Sequence, residues 1–521
     1  MNHDQFVSEV RCPVHGFIGL TELERDIVNH PDFQRLRRIK QLGWTDYIYP
    51  GASHTRFEHS LGVMHLASRL YEAVVRSSED TLKEGFKYTD AGLARDWQIV
   101  RLAALLHDVG HPPFSHAAET LLPMKESQGS SLVAGSASKP PVEQYGHEDY
   151  SVEIIERRLK GLIEQHPCNH RNYRITTDEI TPLISKRTTA GSSTLFWKDI
   201  ISGQLDADRM DYLLRDSLHA GVSYGRYDHD RIVSSICAVR RDRQRQEESS
   251  EPKIAIMKGG MYAAEALIVA RYWITKQVYF HKTRLACDYH IGKALGKILA
   301  FGAEHPTEIV HFPRPDSNEE LEKYLKWDDY RVMELLVGGK GGEHGDRLMT
   351  RNHYRLVCEL EVSDANVGDL TASKKRNDAI VAELGPMVKH DFSPKASWYK
   401  TNPTLELLVV DNDGKTEIGL LSEHSAFMKS INIGYLRFIY VDRGDAEKAR
   451  AVYKKFLEQE SITGAKSAEN VIERKPEPAS ANSEAEEFVK DSQLKLEPVL
   501  NDGKPAQSET TPQKGGIRSA I

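Results

Sequence analysis

Three short segments set imidazoles and carboxylates into otherwise apolar sequence, and no fold can bury such groups without giving them partners. In TRFEHSLG, Thr55 to Gly62, His59 opens a helical face continued by Val63, Leu66 and Leu70. The apolar run Leu102 to Leu106 leads straight into HDVGH, His107 to His111. The third segment, LDADRMDYLLRD from Leu205 to Asp216, sets Asp208, Tyr212 and Asp216 on one helical face. A buried carboxylate beside a buried imidazole costs on the order of several kcal/mol unless something pairs with it, and a divalent cation is an effective partner. His59, His107, Asp108 and Asp208 are therefore candidate metal ligands. Their mixed nitrogen and oxygen donors suit manganese, iron, zinc, nickel or magnesium, and leave positions for water and phosphate oxygens.

The rest of the chain reads as support for such a site. Apolar residues recur at three and four spacing from Phe33 to about Ala300, as in Leu61 to Val75 and Trp97 to Leu106, and no βαβ alternation appears. A mainly α fold is expected over residues 1–300, interrupted by a flexible Ser, Gly and Pro insertion at about 126–141. Beyond Phe301 the texture becomes turn-rich, with GGKGGEHG at Gly338 to Gly345 and candidate strands at Tyr354 to Val362, Leu405 to Val410, Glu417 to Leu421 and Gly434 to Val441. Asp413-Gly414 turns the second strand into the third, and a helix from Asp445 to about Glu458 completes a smaller α+β region over 301–461. Residues 462–521, rich in Glu, Lys, Pro, Ser and Ala, are expected to be a disordered tail.

The formal net charge of -7 gives no overall attraction to nucleic acid or anionic membrane, so any basic site is local. No cationic leader with an apolar core opens the chain and no run long enough to span a bilayer occurs, so a cytoplasmic location is expected. The 5 cysteines are scattered, which suggests neither a disulfide framework nor a thiolate zinc site.

The residues His59, His107-Asp108 and Asp208 resemble the H...HD...D signature of the HD superfamily. The wider text, FQRLRRIKQLG from Phe33, PGASHTRFEHSLG from Pro50 and HDVGHPPFSH from His107, is similar to its deoxynucleoside triphosphate triphosphohydrolase (dNTPase) branch. The likeness runs from about Pro13 to Arg284 and does not reach the tail. It implies an HD-domain helical bundle, a divalent metal cofactor, a dNTP substrate split into deoxynucleoside and inorganic triphosphate, and assembly as a homodimer or homotetramer.

Cleaving a phosphate ester also requires an acid/base group and neutralisation of the phosphate oxygens. His116 and Glu119 are three apart, so the carboxylate can fix the imidazole as an acid/base dyad. The resemblance carries that role to them, and matches His111 and His147 to histidines at the α-phosphate. Arg56, Arg209 and Arg271, with Lys282, are candidate phosphate ligands because the guanidinium fork stays charged and binds bidentately. Arg271, Thr275, Tyr279 and Lys282 share a helical stripe, and the resemblance puts Arg271 and Tyr279 on the nucleotide pocket. By the same likeness Tyr212 packs against C2′ of the sugar, Asp216 takes the 3′-hydroxyl, and Gln41 and Leu42 border the sugar.

Regulated members bind an activating guanine nucleotide through a Lys and an Asp at places where this chain has Ser8 and Asn29, although Gln34 and Arg37 remain. Activation by guanine nucleotides is therefore not expected, and any nucleotide activator would differ. Two other readings stand beside the dNTPase: a phosphohydrolase of another nucleotide, and a nucleic-acid-binding HD-fold protein with little catalysis, using a basic stretch such as Val239 to Arg245.

Overall fold

The helix Arg56–Ser77 buries most of its surface, with Phe57, His59, Leu61, Val63, Leu66, Leu70 and Val74 all buried and, before its last turn, only a narrow stripe of Glu58, His65, Arg69 and Glu72 partly exposed. A helix with so wide an apolar face belongs at the centre of a core, and each Leu or Val sealed there contributes roughly 1.5–3 kcal/mol. In the computed structural model, which describes residues 5–125, 143–185, 195–240, 252–301, 310–362, 367–393, 407–413, 416–430 and 435–469, the helices Asp90–Leu106 and Ala207–Ala220 pack directly against it.

Local chemistry marks the ends of all three helices. Glu58 accepts the Thr55 amide at 3.0 Å and the Thr89 hydroxyl accepts the Gly92 amide at 3.1 Å, each satisfying a donor at a helix start. Asp206 does the same for the Arg209 amide at 2.7 Å, and the third helix stops at Gly221, where φ is 70°. The expected mainly α architecture is present, and among the described residues three small sheets decorate it.

Those sheets divide the C-terminal strands in a way the sequence did not disclose. Arg355–Val362, Val388–Phe392 and Tyr435–Val441 form one antiparallel sheet with Tyr435–Val441 in the middle. Leu408–Val410 and Glu417–Leu420 instead extend a hairpin made by Ile236–Val239 and Lys253–Met257, the contact between Lys253–Met257 and Leu408–Val410 being parallel. The hairpin Ser8–Cys12 with Gly16–Leu20 is a separate pair.

The glycine run expected to be turn is partly helix. Gly342–Met349 packs on the helix Lys282–Ala300, and a Cβ at Gly341 would meet Leu336 of the helix Asp329–Val337 at 2.6 Å and Ala294 of Lys282–Ala300 at 3.3 Å, so the missing side chain is what lets these elements approach. The last helix also exceeds its expected end and runs Ala446–Glu469, eleven residues into sequence with little apolar content. Contacts group Met1–Glu458 as one unit and Gln459–Ile521 as another. The insertion at 126–141, Gly414, most of the Val239 to Arg245 stretch and the tail beyond 469 lie outside the described residues. Among the described residues, no helix is long and apolar enough to cross a membrane.

Candidate metal centre and adjoining cavity

Two imidazoles and two carboxylates converge from three helical segments. His59 Nε2 lies 3.1 Å from Asp208 Oδ1 and 3.6 Å from Asp108 Oδ2, while His107 Nε2 lies 3.4 Å from Asp108 Oδ1 and 3.7 Å from Asp208 Oδ1. Both rings use their other nitrogen elsewhere, His59 Nδ1 facing Asp211 Oδ2 at 2.8 Å and His107 Nδ1 facing the Ala104 carbonyl at 2.8 Å. With Nδ1 donating, each Nε2 carries a lone pair aimed at carboxylate oxygens. That arrangement is repulsive unless a proton or a cation stands between them, and neither buried Nε2 makes a hydrogen bond of good geometry.

The charges show the same demand. Burial alone would lower the His59 pKa, yet the Asp208 and Asp211 carboxylates on either side of its ring hold it up to about 10. Burial alone would raise Asp108, but Arg56, His107 and His111 keep it well below the usual carboxylate range. Asp208 is likewise held down, the two imidazoles outweighing its burial. His59, His107 and Asp108 could together hold a metal ion, and Asp208, whose side chain is 36% exposed, faces them from the mouth.

Asp211 is a part of this site that sequence reading missed. Fully buried, it accepts His59 Nδ1 on one oxygen and His15 Nε2 at 2.7 Å on the other, and Arg215 bonds both at 2.8 Å. Burial would raise its pKa, but Arg215, His15 and His59 keep it ionised. Gly62 makes this possible, because a Cβ there would fall on the Asp211 carboxylate and the Arg215 guanidinium. The visible signal was the i, i+4 spacing of Asp211 and Arg215 inside a segment already singled out.

A second cluster adjoins the first. Glu119 Oε2 lies 3.1 Å from His116 Nδ1 and its Oε1 lies 2.5 Å from His147 Nδ1, so one carboxylate orients two imidazoles. Burial raises the Glu119 pKa, and His116 and His147 outweigh it. His147 is raised, the Glu119 contact exceeding the effect of burial. Its ring stacks on His111 at 3.8 Å, and His111 Nε2 stands 3.2 Å from Asp108 Oδ1, which links the clusters. His111 is kept neutral, first by burial and then by Arg56. The His116 side chain is 60% exposed and is the member of the set that a ligand can reach.

Beside these clusters opens a cavity of about 920 Å³, lined by Gln41, Leu42, Arg56, His116, Tyr212, Asp216 and Tyr279 among others. Arg56 is fixed from behind, Nε donating to Ser115 Oγ at 2.8 Å and Nη1 to Asp108. Asp216 is held from both sides, by His54 Nε2 at 2.7 Å and by the Tyr279 hydroxyl at 2.6 Å, and His54 too was not singled out in the sequence. The rings of Tyr212 and Tyr279 meet edge to face at 6.1 Å. Arg209 turns instead to Asp206 and the Gly203 carbonyl, and neither it nor Arg271 lines the cavity; burial raises the pKa values of Tyr212 and Asp206, and Arg271 is near enough to oppose that rise in part. Unforeseen lining residues include Arg284, Asp288, Tyr289, Lys293, His390 and Phe392, several of them on one face of Lys282–Ala300. Just before the lining residue His116, Phe114 and Ser115 have backbone in the left-handed region, with φ of 57° at both, which costs on the order of 1–3 kcal/mol per residue and persists only where surroundings hold it.

Comparison with known proteins gives a consistent picture. Residues 56–216 match the family model described as HD domain, and residues 228–467 match the HD associated region. An uncharacterized protein of Methanocaldococcus jannaschii is 36% identical over 357 residues, covering 68% of this chain and 61% of its own. A deoxynucleoside triphosphate triphosphohydrolase of Homo sapiens is 34% identical over 425 residues, covering 76% of this chain and 62% of its own. The chain thus spans about three fifths of the length of the curated relatives it matches. Among solved structures, a phosphohydrolase of Bacteroides thetaiotaomicron superposes with a TM-score of 0.57 at 25% identity, over 83% of this chain and 100% of that one.

Proposed function

Because the chain belongs to the HD-domain phosphohydrolase family, we propose that it is a metal-dependent enzyme that hydrolyses dNTPs to deoxynucleoside and inorganic triphosphate. The observation that carries this reading is the pair of lone pairs on His59 and His107 Nε2 turned onto Asp108 and Asp208 beside a cavity of nucleotide size. His59, His107, Asp108 and Asp208 would hold the metal. When bound, it supplies a Lewis acid and lowers the pKa of a water.

The chain's own residues supply the rest. Arg56, with two of its nitrogens pinned by Ser115 and Asp108, presents a fixed positive charge to phosphate oxygens at the cavity wall. His116, its Nδ1 engaged by Glu119, keeps Nε2 for moving a proton to the leaving 5′-oxygen, with His111 and His147 beside it. Tyr212 and Tyr279 form an aromatic wall suited to a sugar lacking a 2′-hydroxyl, and Asp216 lies in reach of the 3′-hydroxyl. Arg209, whose charge Asp206 offsets, and Arg271 stand outside the cavity lining, and this reading gives them a supporting positive charge near Tyr212. The same reading makes the protein a homo-oligomer of the cytoplasm.

Incubating the protein with each of the four dNTPs, with other nucleotides and with manganese, magnesium or iron tests this. Release of inorganic triphosphate and deoxynucleoside is expected. Release of monophosphate or pyrophosphate instead would give the site to another nucleotide reaction, and no turnover with any metal would reject the enzyme.

A further inference from the structure

Residues Tyr324 to Asp329 hydrogen-bond the backbone of both loops that form the cavity wall, although they lie far along the chain from either. Asp329, buried at 1% exposure, accepts the Phe114 amide on Oδ1 at 2.7 Å and the Lys40 amide on Oδ2 at 2.9 Å. These partners are 215 and 289 residues away. Beside it, the Tyr324 hydroxyl donates to the Gly110 carbonyl at 2.7 Å. Arg35 bridges the same elements, Nε donating to the Trp327 carbonyl at 2.9 Å and Nη2 to the His111 carbonyl at 2.9 Å.

We propose that Asp329 is a positioning residue of the active site, whose carboxylate sets the placement of Gln41 and Leu42 relative to Arg56, Ser115 and His116. The bonds around it close a ring. Lys40, one residue before Gln41, donates its amide to Asp329, and its carbonyl accepts from the Ser115 hydroxyl at 2.8 Å. Ser115, one residue before His116, accepts Arg56 Nε at 2.8 Å. Phe114 returns to Asp329 through its amide. The ring therefore joins both loops and the arginine, and it contains the two left-handed residues that relax unless something holds them.

The chemistry requires a carboxylate at this point. Two amides approach one side chain from two loops, so both oxygens must accept. Asparagine has the same shape but one acceptor, and its NH₂ would face an N–H, leaving a buried donor unpaired. A residue that only filled space would tolerate that change.

The test is Asp329→Asn in the full chain, read by steady-state kinetics, by hydrogen exchange of peptides covering 38–42 and 112–117, and by metal content. The kinetic arm rests on the hydrolase reading above; the exchange arm does not, so a failure of one is distinguishable from a failure of the other. Asp329→Asn is expected to lower kcat about 10²-fold, as a misplacement near 1 Å does, with KM changed much less. Exchange should rise in the two peptides and stay unchanged across Arg56–Ser77, with metal content retained. Wild-type kcat, or exchange rising evenly over the chain, would overturn the proposal. Should that variant not fold, Asp329→Glu keeps both acceptors displaced by a methylene: retained protection with reduced kcat is expected, and wild-type kcat overturns it.

Discussion

Asp211 stands 2.8 Å behind His59, on the side of the ring away from the other ligands, and it never reaches the cavity. Its ionised carboxylate fixes the tautomer that frees Nε2 and makes the imidazole a stronger donor. Replacing Asp211 by Asn should weaken metal binding roughly 10–100-fold. Calorimetric titration of the metal-free variant with manganese or zinc checks this, and wild-type affinity would show that the partner is ornamental.

Metal removal should act on stability as well as turnover, because Asp108 and Asp208 lose the charge that offsets their mutual repulsion. Dialysis against chelator is expected to abolish hydrolysis and lower the thermal midpoint. Metal at about 100 times its Kd should restore about 2.7 kcal/mol. A midpoint indifferent to metal would contradict the arrangement of lone pairs described above.

Acid should destabilise the fold through buried histidines other than the candidate metal ligands. Burial, aided by neighbouring positive groups, pushes His65 and His290 down to about 3 and His353 and His390 down to about 4, from 6.5. Each stays neutral in the folded chain while the unfolded chain takes up protons below 6.5. The unfolded state then binds more protons, so their stabilisation is present above that value and is lost as pH falls toward 4. Urea midpoints at pH 7.5 and pH 5 should differ in that direction, and His65→Leu should reduce the difference; a flat profile would be inconsistent with neutral burial.

Sugar discrimination should reside in the ring pair. Tyr212→Ala opens the wall at 6.1 Å from Tyr279 and is expected to raise ribonucleotide turnover relative to deoxynucleotide by about tenfold or more, the scale of a reshaped apolar pocket. Competition between dGTP and GTP in one reaction measures it. An unchanged ratio would move selectivity elsewhere.

Guanine nucleotides should leave the rate unaltered. Ser8 and Asn29 offer no charge where the regulated relatives in this resemblance use a Lys and an Asp. Initial rates of dATP hydrolysis with and without GTP decide the matter, a severalfold rise being the adverse result.

The candidate metal ligands that the structure brings together were legible because each sits where an apolar periodicity is broken by a His or Asp, and the mainly α fold was legible from that periodicity. The orienting residues were not. Asp211, His54 and His15 are polar residues whose value depends on meeting His59, Asp216 and Asp211, which lie 152, 162 and 196 positions away, and nothing local announces such a meeting. The division of the C-terminal strands between two sheets was hidden for the same reason, since the pairing of Leu408–Val410 with Lys253–Met257 is a choice between distant partners. The cavity face of Lys282–Ala300 reads locally as an ordinary amphipathic helix, and only packing reveals that it borders a void.

Gly62 carries a further implication. The atom it lacks is occupied by a charge cluster, so even the smallest replacement, alanine, would displace the carboxylate that steers the His59 imidazole one turn earlier on the same helix. An inert methyl, far from any reacting bond, would then behave like a ligand mutation, and loss of metal in such a variant would be misread as damage to the donors themselves.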